Sequence, residues 1–174
     1  MVSETSPGNL ILSMQNPDLY DHPVDGFQVI ETHISQVILT GDYAYKIKKP
    51  MDFGFLNFST LDRRKHFCEE ELRLNRRLAE NLYLEVVPIT GTPEAPILGG
   101  EGEAFEYAIK MRQFGQDQLF DRLQEQGKLA PELLTDLARQ VAAFHEQLPP
   151  VPDEKPLGTP EAVFAAMQEN FDQI

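Results

Sequence analysis

Gly41-Asp42-Tyr43-Ala44-Tyr45-Lys46-Ile47-Lys48-Lys49-Pro50 is the stretch on which the reading of the fold turns. Gly41-Asp42 is a two-residue connection with glycine first, the signature of a tight type II′ hairpin. Residues 27–33 and 36–40 before it, and 43–48 after it, are rich in β-branched, aromatic and aliphatic side chains, so each reads as a strand. Lys49-Pro50 ends the last of them, because proline has no N–H to give to a ladder. Side chains alternate along a strand, so Ala44, Lys46 and Lys48 share one face.

Downstream, Ser59-Thr60-Leu61-Asp62 reads as a capping box opening a helix that runs to about Ala79. At about 100° per residue, Leu74 and Leu78 fall close to Phe67, and Glu71 lies inside that apolar stripe. A carboxylate on a buried face is costly unless it is paired. Glu71 therefore calls for a cation. The nearest source is a lysine of the hairpin, Lys46 first and Lys48 as the alternative on the same face.

The remaining elements follow from the same rules. Residues 1–26 are polar and turn-rich, and read as a flexible N-terminal segment with at most one short helical turn. Residues 86–90 read as a strand, 91–104 as a turn-rich excursion with a short strand at Pro96-Ile97-Leu98, and 105–111 as a strand with Phe105, Tyr107, Ile109 and Met111 inward. Asp117 reads as the N-cap of a helix stopped by Gly127. Pro131 begins a longer helix with Leu134, Leu137, Val141, Phe144 and Leu148 as its stripe. A proline-rich linker follows, and Thr159-Pro160 open a last helix that shows no stop signal before Ile174. Strands first and helices after predict an α+β fold with two lobes. The expected parts are a flexible segment 1–26, a sheet-containing lobe 27–114, the start of a helical lobe 115–148, and a linker with a cut helix 149–174.

Charge narrows the function. The 174 residues carry a net charge of −13, which speaks against general affinity for nucleic acid or an anionic membrane. Residues 31–78 are the exception, with nine basic and seven acidic side chains, whereas residues 79–174 carry six basic and seventeen acidic ones. The only cationic block thus coincides with the Lys46–Glu71 region, and a positive field there suits a bound anion. Arg63, Arg64, Lys65, Arg73, Arg76 and Arg77 are expected to form mainly the solvated face of the helix. Cys68 is the only cysteine, which excludes a disulfide framework and a paired-cysteine metal site and suits a reducing cytoplasm. No apolar run approaches a membrane span. Gly100-Glu101-Gly102 reads as a hairpin turn, His145 as a packing or hydrogen-bonding histidine beside a core stripe, and His66 with Glu69 and Glu70 as too few ligands for zinc.

A small residue two before a lysine on a hairpin strand, followed by a helix bearing an inward Glu, is the arrangement protein kinases use to hold nucleotide phosphates. The bland alternative is a surface lysine and a buried Glu bonded to backbone. The motifs Gly41 to Pro50, Asp52-Phe53-Gly54-Phe55-Leu56, Phe67-Cys68-Glu69-Glu70-Glu71-Leu72-Arg73-Leu74-Asn75 and Val86-Val87-Pro88, in this order, resemble the N-terminal part of aminoglycoside phosphotransferase-like (choline kinase-like) small-molecule kinases. The nearest resemblance is to a bacterial group fused to a P-loop ATP-binding domain. Ala142-Ala143-Phe144-His145 also resembles the end of that family's first C-lobe helix.

The resemblance implies a protein kinase-like N-lobe with the first helices of the C-lobe, an ATP-dependent phosphotransferase acting on a small hydroxylated molecule, and magnesium as the second cofactor. It assigns Lys46 to the phosphates and Glu71 to Lys46. It leaves room for adenine beside Ala44 and puts adenine against the connecting segment at Met111 and Gln113. An intramolecular contact with a C-terminal P-loop ATPase domain is a further implied partner. The sequence departs from the pattern in three places. The turn Glu31-Thr32-His33-Ile34-Ser35-Gln36 has no glycine, so phosphate cradling there would fall to Ser35 or to backbone. Asp52-Phe53-Gly54 spells a magnesium motif in the wrong place and is expected to be a turn. None of His22, His33, His66 and His145 is followed by Gly-Asp, so the family's catalytic loop is absent; the base and the magnesium ligands are expected downstream, and this chain alone is expected to be inactive and to bind nucleotide weakly. The competing expectation is a non-catalytic pseudokinase or regulatory module. A third, an unrelated α+β binding domain, requires Lys46 and Glu71 to lie far apart.

Overall fold

A computed structural model describes residues 7–152 and 157–172. It is an α+β structure: helix α1 (Pro7–Ser13), a 3-10 turn (Pro17–Leu19), strands β1 (Gln28–Glu31), β2 (Ser35–Leu39) and β3 (Tyr43–Lys48), helix α2 (Leu61–Ala79), strands β4 (Tyr83–Thr92), β5 (Ala95–Leu98) and β6 (Glu106–Arg112), and helices α3 (Phe120–Glu125), α4 (Pro131–Glu146) and α5 (Pro160–Asp172). The six strands form one antiparallel sheet in the order β1-β2-β3-β6-β4-β5. The chain divides into two units, Met1–Gln126 and Gly127–Ile174.

The Gly41-Asp42 hairpin has the expected form. Gly41 takes φ 102° and no other residue of the turn has a positive φ, which is the II′ pattern. The Thr40 N–H donates to the Tyr43 carbonyl at 2.9 Å and closes the turn. This turn sets the register Leu39↔Ala44 to Ser35↔Lys48. On its other side β3 pairs with β6, Ala44 opposite Met111 and Lys46 opposite Ile109. The lysine strand is therefore central, and its backbone is held from both sides.

The segment 7–26 differs from its sequence reading; residues 1–6 lie outside the described residues. Instead of a flexible lead, α1 and the turn after it bring Leu10, Ile11 and Met14 into the core beside Ile38, Tyr45, Ile47, Ile89 and Ala108. The Tyr20 hydroxyl donates to the Met14 carbonyl at 2.6 Å. Polar composition concealed this because three apolar side chains, spaced i, i+1 and i+4, are enough to seal one sheet face. The same cover explains β6, where strict alternation fails: Ala108 and Ile109 are both fully buried, because α1 lies over one face of the sheet and α2 over the other.

Helix α2 begins and ends where expected. Thr60 caps it by accepting from the Arg63 N–H at 3.3 Å, but Arg63 stands where the acid of a capping box would be, so the box is only half present. The buried face is rotated from the expected stripe. Arg64 and Cys68 are its buried residues, while Leu74 and Leu78 are 46 % and 51 % exposed. The counting placed the face on leucines, whereas the helix docks through Arg64, Cys68 and Glu71, spaced i, i+4 and i+7.

After β6, Asp117 lies inside a 3-10 turn (Gln116–Gln118) rather than capping a helix, and α3 starts only at Phe120. Gly127 follows α3 with φ 65°, a left-handed stop. The boundary between the two units thus falls at Gln126, twelve residues beyond the lobe boundary read from sequence. In the second unit α4 begins at Pro131 as expected, with no residue fully buried. Thr159 caps α5, its hydroxyl accepting from the Ala162 N–H at 3.2 Å. Residues 153–156 of the linker and 173–174 of the expected cut helix lie outside the described residues.

Candidate functional site

The charged centre of the first unit is one carboxylate shared by two ammonium groups. Lys46 Nζ donates to Glu71 Oε1 at 2.7 Å, and Lys48 Nζ donates to Glu71 Oε2 at 2.6 Å. Both lysines project from the same face of β3, two residues apart, and Glu71 comes down from α2 across that face. The lysines are unequal. The Lys46 side chain is 24 % exposed and that of Lys48 only 5 %. Lys48 Nζ also lies 4.8 Å from the centre of the Phe58 ring, a cation–π contact that helps hold a buried ammonium.

The electrostatics follow from this packing. Burial pushes the Glu71 carboxyl up, but the hydrogen bonds and charges of Lys46 and Lys48 outweigh it and hold the group below its ordinary 4.5. Burial raises the Cys68 thiol to about 12, with Lys48 and Lys46 opposing and Glu71 and Glu106 adding. Tyr83 on β4 is raised chiefly by burial, with Glu71 adding and Lys46 opposing. Tyr83 is thus a third group in the field of the pair, and sequence reading passed over it. Its signal was register: Tyr83 sits opposite Met111, which sits opposite Ala44.

The other expected site residues are distributed as follows. Ala44 is buried on β3, 5 % exposed, two residues from Lys46. Met111 lies beside it on β6, partly buried. Gln113 is tied into the hairpin: its N–H donates to the Asp42 carbonyl at 3.0 Å, and its side-chain oxygen accepts from the Gly41 N–H at 3.0 Å. That N–H is therefore not open to an incoming base. Ser35 is 2 % exposed at the start of β2, and its hydroxyl meets Thr32 Oγ1 at 2.9 Å. It braces the β1–β2 turn, and its position opposite Lys48 puts it on the same sheet face as Lys46 and Lys48.

Asp52 closes the turn expected of it. Its Oδ1 accepts from the Gly54 N–H at 2.8 Å, its Oδ2 accepts from the Asn57 amide, and Phe53 N–H donates to Leu56 O at 2.9 Å. His145 is exposed rather than packed, its ring 6.0 Å from that of Phe144.

Sequence reading also missed Arg64. It was counted with the solvated arginines, yet it is 8 % exposed. Its Nε donates to Glu106 Oε1 and Oε2 at 2.9 and 2.8 Å, and its Nη1 donates to the Phe58 carbonyl at 3.0 Å. This bond fastens the first turn of α2 to the start of β6, one turn ahead of Cys68 and two ahead of Glu71. It fixes the angle at which Glu71 reaches β3.

The opposite sheet face carries a cleft of about 340 Å³, lined by Tyr20, Asp21, Tyr45, Glu85 and Lys110 among others. Lys110 Nζ lies 3.5 Å from Asp21 and 3.7 Å from Glu85, so one ammonium faces two carboxylates there and the surplus charge is negative, unlike that at Glu71. Lys46 and Glu71 do not line it. Among the described residues no helix is long and apolar enough to cross a membrane.

The chain is similar to uncharacterized proteins of Mycobacterium bovis and of two strains of Mycobacterium tuberculosis, at 32 % identity over 129 residues, 72 % of this chain and 24 % of each relative. It spans about a quarter of the length of the curated relatives it matches. No family model matches the chain, and no solved structure does.

Proposed function

We propose that this chain is the nucleotide-holding part of an ATP-dependent phosphotransferase of the aminoglycoside phosphotransferase-like kind, with a kinase-like N-lobe and a small hydroxylated molecule as acceptor in the whole protein. The observation that carries the reading is the 2.7 Å contact between Lys46 on the central hairpin strand and Glu71 on α2. An ammonium has three N–H donors. Glu71 takes one of those of Lys46, and the partly exposed side leaves donors for phosphate oxygens. Two lysines against one carboxylate leave a surplus of one positive charge, which suits a polyphosphate better than a neutral or cationic ligand. Ala44 and Met111 supply an apolar wall for a base on the same strand pair.

The chemistry assigned to these residues is binding and orientation. Lys46 holds phosphate oxygens, and Glu71 holds Lys46. Magnesium, where it binds, would neutralise phosphate charge. Its ligands are not assigned to any residue here, since no group of three His, Cys, Asp or Glu side chains fit to hold a metal lies among the described residues. The acceptor and the attached P-loop domain belong to the same proposal, as does a cytoplasmic setting.

Calorimetric titration of the chain with ATP tests it. Wild type is expected to bind, and Lys46→Ala to bind at least tenfold more weakly, a loss of about 1.4 kcal/mol or more. Equal binding by the two proteins would remove the reading. The competing reading is a non-catalytic regulatory module on the same fold. It predicts ATP binding with no phosphate transfer by the full-length protein to any hydroxylated acceptor.

A further inference from the structure

Lys46 is the lysine that the nucleotide reading puts to use, and Lys48 is left without a role. The geometry gives it one. Each lysine bonds a different oxygen of the same carboxylate, at 2.7 and 2.6 Å. If Lys46 were the sole partner of Glu71, sharing its charge with a phosphate would leave a partly buried carboxylate under-compensated. Such a carboxylate is expelled, protonated or re-paired. Lys48 removes that conflict. It is the less exposed of the two, and it is held over the Phe58 ring at 4.8 Å. It cannot follow a ligand outward. Lys46, more exposed and without that packing, can.

We infer that Lys48 is a positioning residue: it keeps Glu71 ionised and in place, so that Lys46, still bonded to Glu71, can turn its remaining donors to phosphate oxygens without α2 shifting. The inference rests on the nucleotide reading of the Lys46 site and adds to it a division of labour, with a fixed cation behind and a mobile cation in front. The groups that face Glu71 are Lys46 and Lys48 from β3 and Tyr83 from β4, with Cys68 beside it on its own helix. Tyr83 and Cys68 are neutral at pH 7, their pKa values being pushed up by burial. Lys48 is therefore the only group of this set able to compensate Glu71 when Lys46 shares its charge with a phosphate.

The test follows charge rather than affinity alone. Calorimetric titration with ATP at pH 6.5 to 7.5, in buffers of different ionisation enthalpy, counts protons taken up on binding. Wild type supplies the baseline, which contains the nucleotide's own titration. Lys48→Met keeps the length and the contact with Phe58 but removes the charge. It is expected to bind ATP at least tenfold more weakly and to take up protons beyond the wild-type count, with the excess growing as pH falls. Lys48→Arg is expected to restore the wild-type proton count.

The wild-type chain alone provides a second measurement that no folding defect can spoil. In carbon- and nitrogen-detected NMR with saturating ATP, the Lys46 ammonium signal is expected to move, while the Lys48 signal stays and the Glu71 carboxyl carbon keeps its ionised shift. If Lys48→Met is folded and matches wild type in both affinity and proton count, or if Lys48 rather than Lys46 responds to ATP, the inference is overturned and the nucleotide site stands. If wild type and Lys46→Ala give the same ATP signal, or none, the nucleotide reading falls and this inference falls with it.

Discussion

Glu71 carries one negative charge and meets two positive ones, and the consequences can be worked out at that residue. Removing the carboxylate leaves Lys48, only 5 % exposed, without a counter-charge. Glu71→Ala is expected to lower stability by about 3–5 kcal/mol, read from urea unfolding. Glu71→Gln keeps two polar contacts and is expected to cost less. Acid should reveal the pair. The folded carboxyl titrates below 4.5, so its stabilisation is fully present above that value and is lost as pH falls through the lower, folded one. The stability difference between wild type and Glu71→Gln is therefore expected to be flat from pH 7 to about pH 5 and to shrink below it. A difference that grows on acidification would contradict the assignment. At this scale the sequence was informative. An acid inside a helical stripe and two lysines on one strand face already pointed to one another. It could not say that both lysines would bind at once, because that depends on where α2 crosses the strand, a matter of docking angle rather than of composition.

The docking angle is an element-scale property, and Arg64 sets it. Its bonds to Glu106 and to the Phe58 carbonyl join the first turn of α2 to β6 and to the loop before the helix. Arg64→Met is expected to destabilise by about 3 kcal/mol or more, since it leaves Glu106 buried and unpaired. Adding Glu106→Gln in that background is expected to recover part of the loss, so a double-mutant cycle should show coupling. Leu74→Ser and Leu78→Ser, by contrast, are expected to change stability by only about 0.5 kcal/mol, as exposed positions do. Urea denaturation of these variants, with Glu106→Gln alone completing the cycle, decides between the observed helix face and the leucine stripe read from sequence. The stripe misled because hydrophobic counting gives charged residues no credit for burial. Arg64 is buried through pairing, and that partnership spans 42 residues of chain.

At the scale of the whole chain, the two units differ in what holds them. The first has a core of its own, closed on one side by α1. Met14 is fully buried, so Met14→Ala is expected to cost about 2–5 kcal/mol and to show as a lowered unfolding midpoint. No residue of α4 is fully buried, and Leu134 and Leu137 are 49 % and 45 % exposed. Leu134→Ser is therefore expected to leave that midpoint nearly unchanged. The hairpin, α2 and the order of strands were legible because local turn and cap chemistry marks them: Gly41-Asp42, Thr60 and Gly127. The role of residues 7–26 was not, because a short helix and the turn after it, with three buried side chains between them, have no periodic signal longer than one turn.

These scales meet in one claim, that Lys46 and Glu71 act together on a nucleotide. A double-mutant cycle on ATP affinity tests it most directly, using wild type, Lys46→Ala, Glu71→Gln and the double variant, each first shown to be folded by circular dichroism. The account predicts that each single substitution weakens ATP binding and that the double substitution weakens it no further than Lys46→Ala alone, because Glu71 acts only through Lys46. Four equal affinities, or fully additive losses, would contradict it.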